Sequence, residues 1–182
     1  ITRLYSPAYF GEFAVYAAIL AILTVAACLR FEIAIVLPED QRTAVPVVAL
    51  AAACAVAFSV LVGVIIWLAG DVIAVWLDLP RGQAVLLFIP LALCLSGLSR
   101  AAMHWFIRER HYRRLAYGKV AQSLPQTASQ LALGFATMGT TGLVLGDLVG
   151  RLAGSAAMWW RLRAQQAEHW RSLTLADIRN AA

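Results

Sequence analysis

The chain has 182 residues, 62% of them hydrophobic and 14% charged, with a mean hydropathy of +0.74. A soluble domain is nearer half apolar and a quarter charged, so the composition excludes an ordinary water-soluble globule and reads as an integral membrane protein. The formal charge of +5 does not indicate nucleic acid, because the basic residues sit in connectors between apolar runs and form no basic-aromatic stripe.

The first stretch, Ile1–Phe10, is an interfacial connector: Tyr5, Tyr9 and Phe10 suit the headgroup belt, and Pro7 discourages helix before it. Gly11–Phe31 then reaches the roughly 20 residues needed to cross the hydrocarbon core. The connector Arg30–Arg42 mixes charge with an apolar patch and holds Pro38. Thr43–Gly70 is free of charge, and a tilted helix over 46–68 fills it. Gly70–Gln83 reads as a short outer loop. Residues 84–107 form the third span, containing Pro90 and Arg100. A basic loop follows, with Arg108, Arg110, Arg113, Arg114 and Lys119 crowded into a dozen residues. The fourth span covers 120–138 and ends at the glycine-bounded turn Gly139–Gly142. The fifth covers 143–161, interrupted by Asp147 and Arg151, with Trp159 and Trp160 at its exit. Residues 165–182 are a polar cytoplasmic linker or surface helix. The expected fold is thus all-α: a polytopic transmembrane helical bundle over 1–164.

Five spans put the two ends on opposite sides. One set of connectors carries Arg30, Arg42, Arg108, Arg110, Arg113, Arg114, Lys119, Arg161, Arg163, Arg171 and Arg179; the other carries Arg3, Arg81 and Arg151. Lysine- and arginine-rich short loops stay in the cytoplasm, so the Ala182 end is expected there and the Ile1 end outside. The chain opens at Ile1 without a methionine or a leader, and closes on a polar run. Both ends read as cut, with a preceding helix expected.

Polar residues within the spans are the place to look for function, because charge in a membrane is costly. Ser96, Arg100 and His104 are four apart and share one helix face. Arg100 lies about 10 Å below the cytoplasmic end at 1.5 Å per residue. It either snorkels to the headgroups or faces a hydrated cavity that receives an anion. Gln122, Gln126 and Gln130 repeat the four-residue spacing on the next span, beside Ser123, Thr127 and Pro125. They either glue helices together or form a sugar-facing surface. Asp147 and Arg151 are spaced to pair on one face as a structural ion pair. Glu12 and Asp71 read as interfacial. Cys28, Cys54 and Cys94 fall in apolar runs without ligand spacing, and His104, His111 and His169 offer no metal site. No carboxylate pair or nucleophile motif supports catalysis, so an enzyme is not expected.

Three segments in order, LYSPAYFGEFAVYAAI, LRFEIAIVLPED and SLPQTASQLALG, resemble the bacterial polysaccharide-biosynthesis membrane proteins. These are Wzx-type oligosaccharide translocases of the MOP superfamily, related to MATE exporters. The resemblance runs from Leu4 to the tail. It implies two six-helix lobes around a cationic cavity, of which this chain supplies five helices of the first lobe. It implies transfer of an undecaprenyl-diphosphate-linked oligosaccharide across the bacterial inner membrane by alternating access, for O-antigen or exopolysaccharide synthesis. On that reading Arg100 holds the diphosphate, Ser96 and His104 share its lumenal, substrate-binding face, and the Gln122, Gln126 and Gln130 line meets sugar hydroxyls. Expected partners are the lipid-linked oligosaccharide, membrane lipids and the polysaccharide assembly machinery. No cofactor is expected; coupling to protons or sodium stays open. Alternatives are a MATE-like cation exporter, which wants acids in its cavity, and a glycan polymerase or ligase, which wants a sizeable outer loop.

Overall fold

Apolar runs of helical length, broken by short polar connectors, become five α-helices in the computed structural model. It describes residues 5–27, 41–77, 85–109, 112–136 and 139–180, with backbone alone at 41–47, 112 and 165–180. The helices are α1 (Pro7–Ala27), α2 (Gln41–Trp76), α3 (Ile89–Arg108), α4 (Tyr112–Phe135) and α5 (Gly139–Asn180). No strand occurs among the described residues. The fold is an all-helical bundle. The connector expected over residues 28–40, with Cys28, lies outside the described residues, as do residues 1–4, 78–84 and 110–111 and the side chains of the tail.

The order is up-down-up-down-up. Tyr5 donates to the Gln130 carbonyl (2.7 Å) and the Glu12 carboxylate accepts from Thr140, so α1 and α5 start at the same end. Ser59 donates to the Pro90 carbonyl, which sets the middle of α2 against the start of α3. Trp159 donates to the Leu98 carbonyl (3.1 Å), aligning α3 with α5. Such interlocking places the two chain ends of the bundle at opposite faces. Helix α3 packs on all four others, α4 packs chiefly on α5, and α1 and α2 touch only lightly.

Two apolar clusters form the core. One joins Tyr16, Leu20, Val62, Ile66, Ile89, Leu93, Val144 and Leu148; the other joins Val48, Ala51, Ala101, Trp105, Phe106, Met158 and Leu162. Between them lies a layer of polar side chains. Two helices, α1 and the Val48–Trp76 part of α2, are long and apolar enough to cross a membrane. On the outside α2 bares Val60, Leu61, Ile65, Trp67, Leu68 and Trp76. Water would not tolerate such a continuous apolar face, and two helices of this kind point to membrane association.

The helix boundaries depart from the sequence reading for local reasons. Pro90 does not interrupt a helix: α3 begins at Ile89, with Pro90 in its first turn. There a missing N–H costs nothing, because the first N–H groups have no intrahelical partner. The expected outer loop from Gly70 is helical as far as Trp76, because Val72–Trp76 continues the apolar run and Asp71 can point outward, where it is exposed. The basic loop is shorter than expected. Helix α4 starts at Tyr112, so Arg113, Arg114 and Lys119 ride on its first turns. The turn before α5 closes at Gly139 itself, which has φ +58°, and Gly142 is already helical. A side chain at Gly139 would be strained in that left-handed conformation, and its Cβ would stand 3.3 Å from the Tyr9 ring. The backbone of α5 continues past 161 to Asn180.

Candidate functional site

The helix pair α4–α5 makes the site possible. Helix α5 carries Gly142, Gly146, Gly150 and Gly154, four apart and on one face. Gln130, Gln126 and Gln122 of the antiparallel α4 lie over Gly146, Gly150 and Gly154 in turn. A Cβ at Gly150 would stand 2.7 Å from the Gln122 carbonyl oxygen and 2.5 Å from the Gln126 Cβ, and one at Gly154 would stand 2.7 Å from the Gln122 Cβ. Apolar burial does not drive helices together in lipid, so small residues that let backbones approach, and polar groups that bond across, do that work. At the innermost position Gln130 is 8% exposed, and its amide donates to the Leu143 carbonyl (3.2 Å).

The middle of the ladder feeds a buried polar network. Asp147, 3% exposed, accepts from Gln126 Nε2 (3.0 Å), Arg151 Nε (2.6 Å) and Tyr16 Oη (3.3 Å). Arg151 Nη1 also donates to Ser96 Oγ (2.6 Å), whose own proton goes to the Ala92 carbonyl (2.6 Å). One carboxylate and one guanidinium therefore tie α1, α3, α4 and α5 together. Such a network is affordable inside a bundle because each charge meets an opposite charge and neutral partners together.

Beside this network opens a cavity of about 390 Å³. Ala17, Leu20, Ala21, Thr24 and Val25 of α1 form one wall; the rest comes from Ser96, Ser99, Arg100 and Met103 of α3, Lys119 and Gln122 of α4, and Arg151 and Met158 of α5. Three cationic side chains thus line one small space. Its cationic wall suits an anion, and its apolar α1 wall suits a hydrocarbon neighbour. The volume falls at the small end of ligand pockets, near 300 Å³. The cavity lies toward the end where the basic residues collect. Arg108 stands two turns beyond Arg100, about 12 Å at 1.5 Å per residue, and its guanidinium lies over the Trp105 ring at 5.5 Å. Arg161 lies over Tyr117 at 4.8 Å and joins α5 to α4 at that same end.

Of the residues singled out in the sequence, Ser96, Arg100 and Gln122 line the cavity, and His104, Gln126 and Gln130 do not. His104 is half-buried one turn beyond Arg100. Asp147 and Arg151 form the ion pair, and Arg151 also reaches the cavity. Glu12 does more than mark an interface, because it accepts from the buried Thr140. Sequence reasoning missed two participants. Lys119 was assigned to a loop and is on helix, and Tyr16 sits in an apolar run with nothing to distinguish its phenol from interfacial aromatics. The glycine repeat on α5 was a legible signal for the helix pair. Cys54 and Cys94 are free thiols, half-buried, and no group of His, Cys, Asp and Glu with metal-site geometry occurs among the described residues.

No curated protein and no solved structure is detectably similar to the chain. The family model for polysaccharide biosynthesis proteins matches residues 1–178, nearly the whole length, and the chain belongs to that family.

Proposed function

We propose that the chain is the cavity-bearing part of a flippase that carries an undecaprenyl-diphosphate-linked oligosaccharide across the bacterial inner membrane by alternating access. The observation that carries this reading is the cavity itself, in a member of a polysaccharide biosynthesis family: Arg100, Lys119 and Arg151 on one side and Leu20, Ala21 and Val25 on the other. A lipid diphosphate brings two anionic groups next to a hydrocarbon chain, and this wall pattern matches both. The guanidinium of Arg100 or Arg151 can engage phosphate through two donors at once, which an ammonium cannot. Gln122 and Ser99 offer neutral donors and acceptors to the first sugar. A cavity of this size holds a headgroup and not an extended glycan, so most of the oligosaccharide would lie in space that other parts of the transporter enclose.

The basic end of the bundle would face the cytoplasm, where loops rich in arginine and lysine are retained, and the cavity would load from that leaflet. The chain would act as a transporter and not as an enzyme, with the lipid-linked oligosaccharide as its substrate and no resident cofactor. A MATE-like exporter of cations is disfavoured, because three positive side chains repel a cationic drug.

The test is restoration of surface polysaccharide in a bacterial strain lacking its own translocase. Arg100→Gln and Lys119→Gln should each abolish or strongly reduce export at normal membrane levels, with Arg100→Lys recovering part of it. Accumulation of the lipid-linked precursor on the cytoplasmic side must accompany the loss. Full export by an Arg100→Gln/Lys119→Gln double variant would refute the reading.

A further inference from the structure

Arg151 belongs to the buried network and to the cavity wall at once. Its partners differ in how firmly they are held. Asp147 is almost completely buried and does not line the cavity; besides Arg151 it is held by the Tyr16 hydroxyl and the Gln126 amide. Those two neutral donors come from α1 and α4, on elements separate from Arg151. The Arg151 side chain is 23% exposed and sits on a long stem at the rim of the network. Two of its five donors go to Asp147 and Ser96, and a guanidinium that turns toward the cavity gives up both. The Ser96 bond is a direct side-chain link between α3 and α5.

Resting on the reading of the cavity as an anion site, we infer that Asp147 is a built-in counter-anion that competes with the entering ligand for Arg151, so that anion binding and release of the α3–α5 link are one event. The arrangement supplies what a carrier needs. A carboxylate that keeps its bonds to Tyr16 and Gln126 stays hydrogen-bonded when its cation turns away, and the cost of leaving its charge uncompensated is the force that returns Arg151. A ligand with two negative groups offers Arg151 more than the single charge it leaves. When the ligand departs, Asp147 draws Arg151 back and the link to Ser96 re-forms. A ligand can shift such an equilibrium only by its differential affinity for the two states, and contact with the freed guanidinium is that difference.

The inference predicts a sign. Removing the competitor while keeping the donor should strengthen binding. In nanodiscs, with inorganic pyrophosphate as the probe and calorimetry as the readout, Asp147→Asn should bind about tenfold more tightly than the wild type. Arg151→Gln should weaken binding, and Asp147→Asn should add nothing in the Arg151→Gln background, because the carboxylate acts through Arg151. Equal or weaker binding by Asp147→Asn at an unchanged thermal midpoint would overturn the inference and make Asp147 a residue that merely positions Arg151. A second measurement stands without that variant. With native cysteines replaced, Ser96→Cys should be modified several times faster by a small thiol reagent when pyrophosphate is present, because Arg151 has moved off it. A ligand that simply covers the site would slow the reaction, and slowing or no change refutes the coupled release. If the wild type binds no pyrophosphate, the cavity reading falls and takes the inference with it; binding without the predicted gain refutes the inference alone.

Discussion

Replacing Gly150 with alanine adds one methyl group where the α4 backbone comes nearest to the glycine face of α5. The new Cβ would stand 2.5 Å from the Gln126 Cβ and 2.7 Å from the Gln122 carbonyl oxygen, with the Gln126 Cα at 3.1 Å. Two of these obstacles are backbone, so no rotamer change relieves them. The helices must separate by about 1 Å, and overpacking of this kind costs about 1–3 kcal/mol. A shift of that size also reaches function, since Gln126 holds Asp147 and Gln122 lines the cavity. Two other glycines serve as controls. A Cβ at Gly11 meets nothing within 4 Å, and one at Gly63 meets Pro90 at 3.5 Å, an ordinary contact. Alanine there should be neutral or stabilising by up to about 1 kcal/mol through helix propensity. Gly118 is intermediate, because its obstacle is the flexible end of Met158. Thermal unfolding in detergent, followed by loss of the monodisperse peak, should rank the variants as Gly11 and Gly63 above Gly118, and Gly118 above Gly150. Gly150→Ala with the midpoint of Gly11→Ala would refute the close approach of α4 and α5.

Gly139→Ala should lower stability by about 1–2 kcal/mol in the same assay, because φ +58° strains any L side chain and Tyr9 crowds the new methyl. Tyr5→Phe should cost about 1 kcal/mol at neutral pH through the lost bond to the Gln130 carbonyl. Burial also pushes the Tyr5 phenol above its ordinary value of 10.0. Its contribution is then complete below about pH 10 and is lost as pH rises toward the folded value, because the unfolded chain ionises first. Stability of the Phe variant should accordingly fall less steeply than wild type above pH 10, and parallel curves would refute that assignment.

Helix number and approximate placement were legible because each apolar run is long enough to state its own structure. The neighbours of each helix were not. A repeat of four on α4 says that Gln122, Gln126 and Gln130 share a face, and says nothing of what that face meets. The answer lay in a second repeat, the glycines of α5, and only the two together specify an antiparallel contact. The start of the third span reads too early at 84, because an apolar run does not show where its helix begins; Pro90 sits in the first turn of a helix that opens at Ile89. Lys119 reads as part of the loop because five basic residues within a dozen suggest a connector, whereas its helical position turns it toward the cavity. Charge counting still identified the end of the bundle at which cations collect, since Arg108 closes α3, Arg113 and Arg114 open α4, and Arg161 of α5 lies over Tyr117 beside them.

Gln126 and Gln130 bond across to α5 as glue would, whereas Gln122 lines the cavity, and thiol accessibility tests whether that position is a hydrated surface. With native cysteines replaced, single cysteines at Arg100 and Gln122 should react with a membrane-impermeant thiol reagent, since both side chains line the cavity. One at Ser96 should react slowly, because Arg151 covers the position. One at Gln130 should stay unmodified, buried between Tyr5 and Leu143, as should a control at the buried Leu95. Gln126 faces Asp147, so a cysteine there should be protected while the network holds. The pattern therefore changes along a single helix face, from reactive at 122 to dark at 130, within two turns or about 12 Å. Uniform labelling at 122, 126 and 130 would mean that the face opens fully to water and that α4 does not pack on the glycine groove of α5. Uniform protection would mean that the cavity is closed to solvent, and Arg100 and Lys119 would then lack the route by which a charged headgroup could reach them.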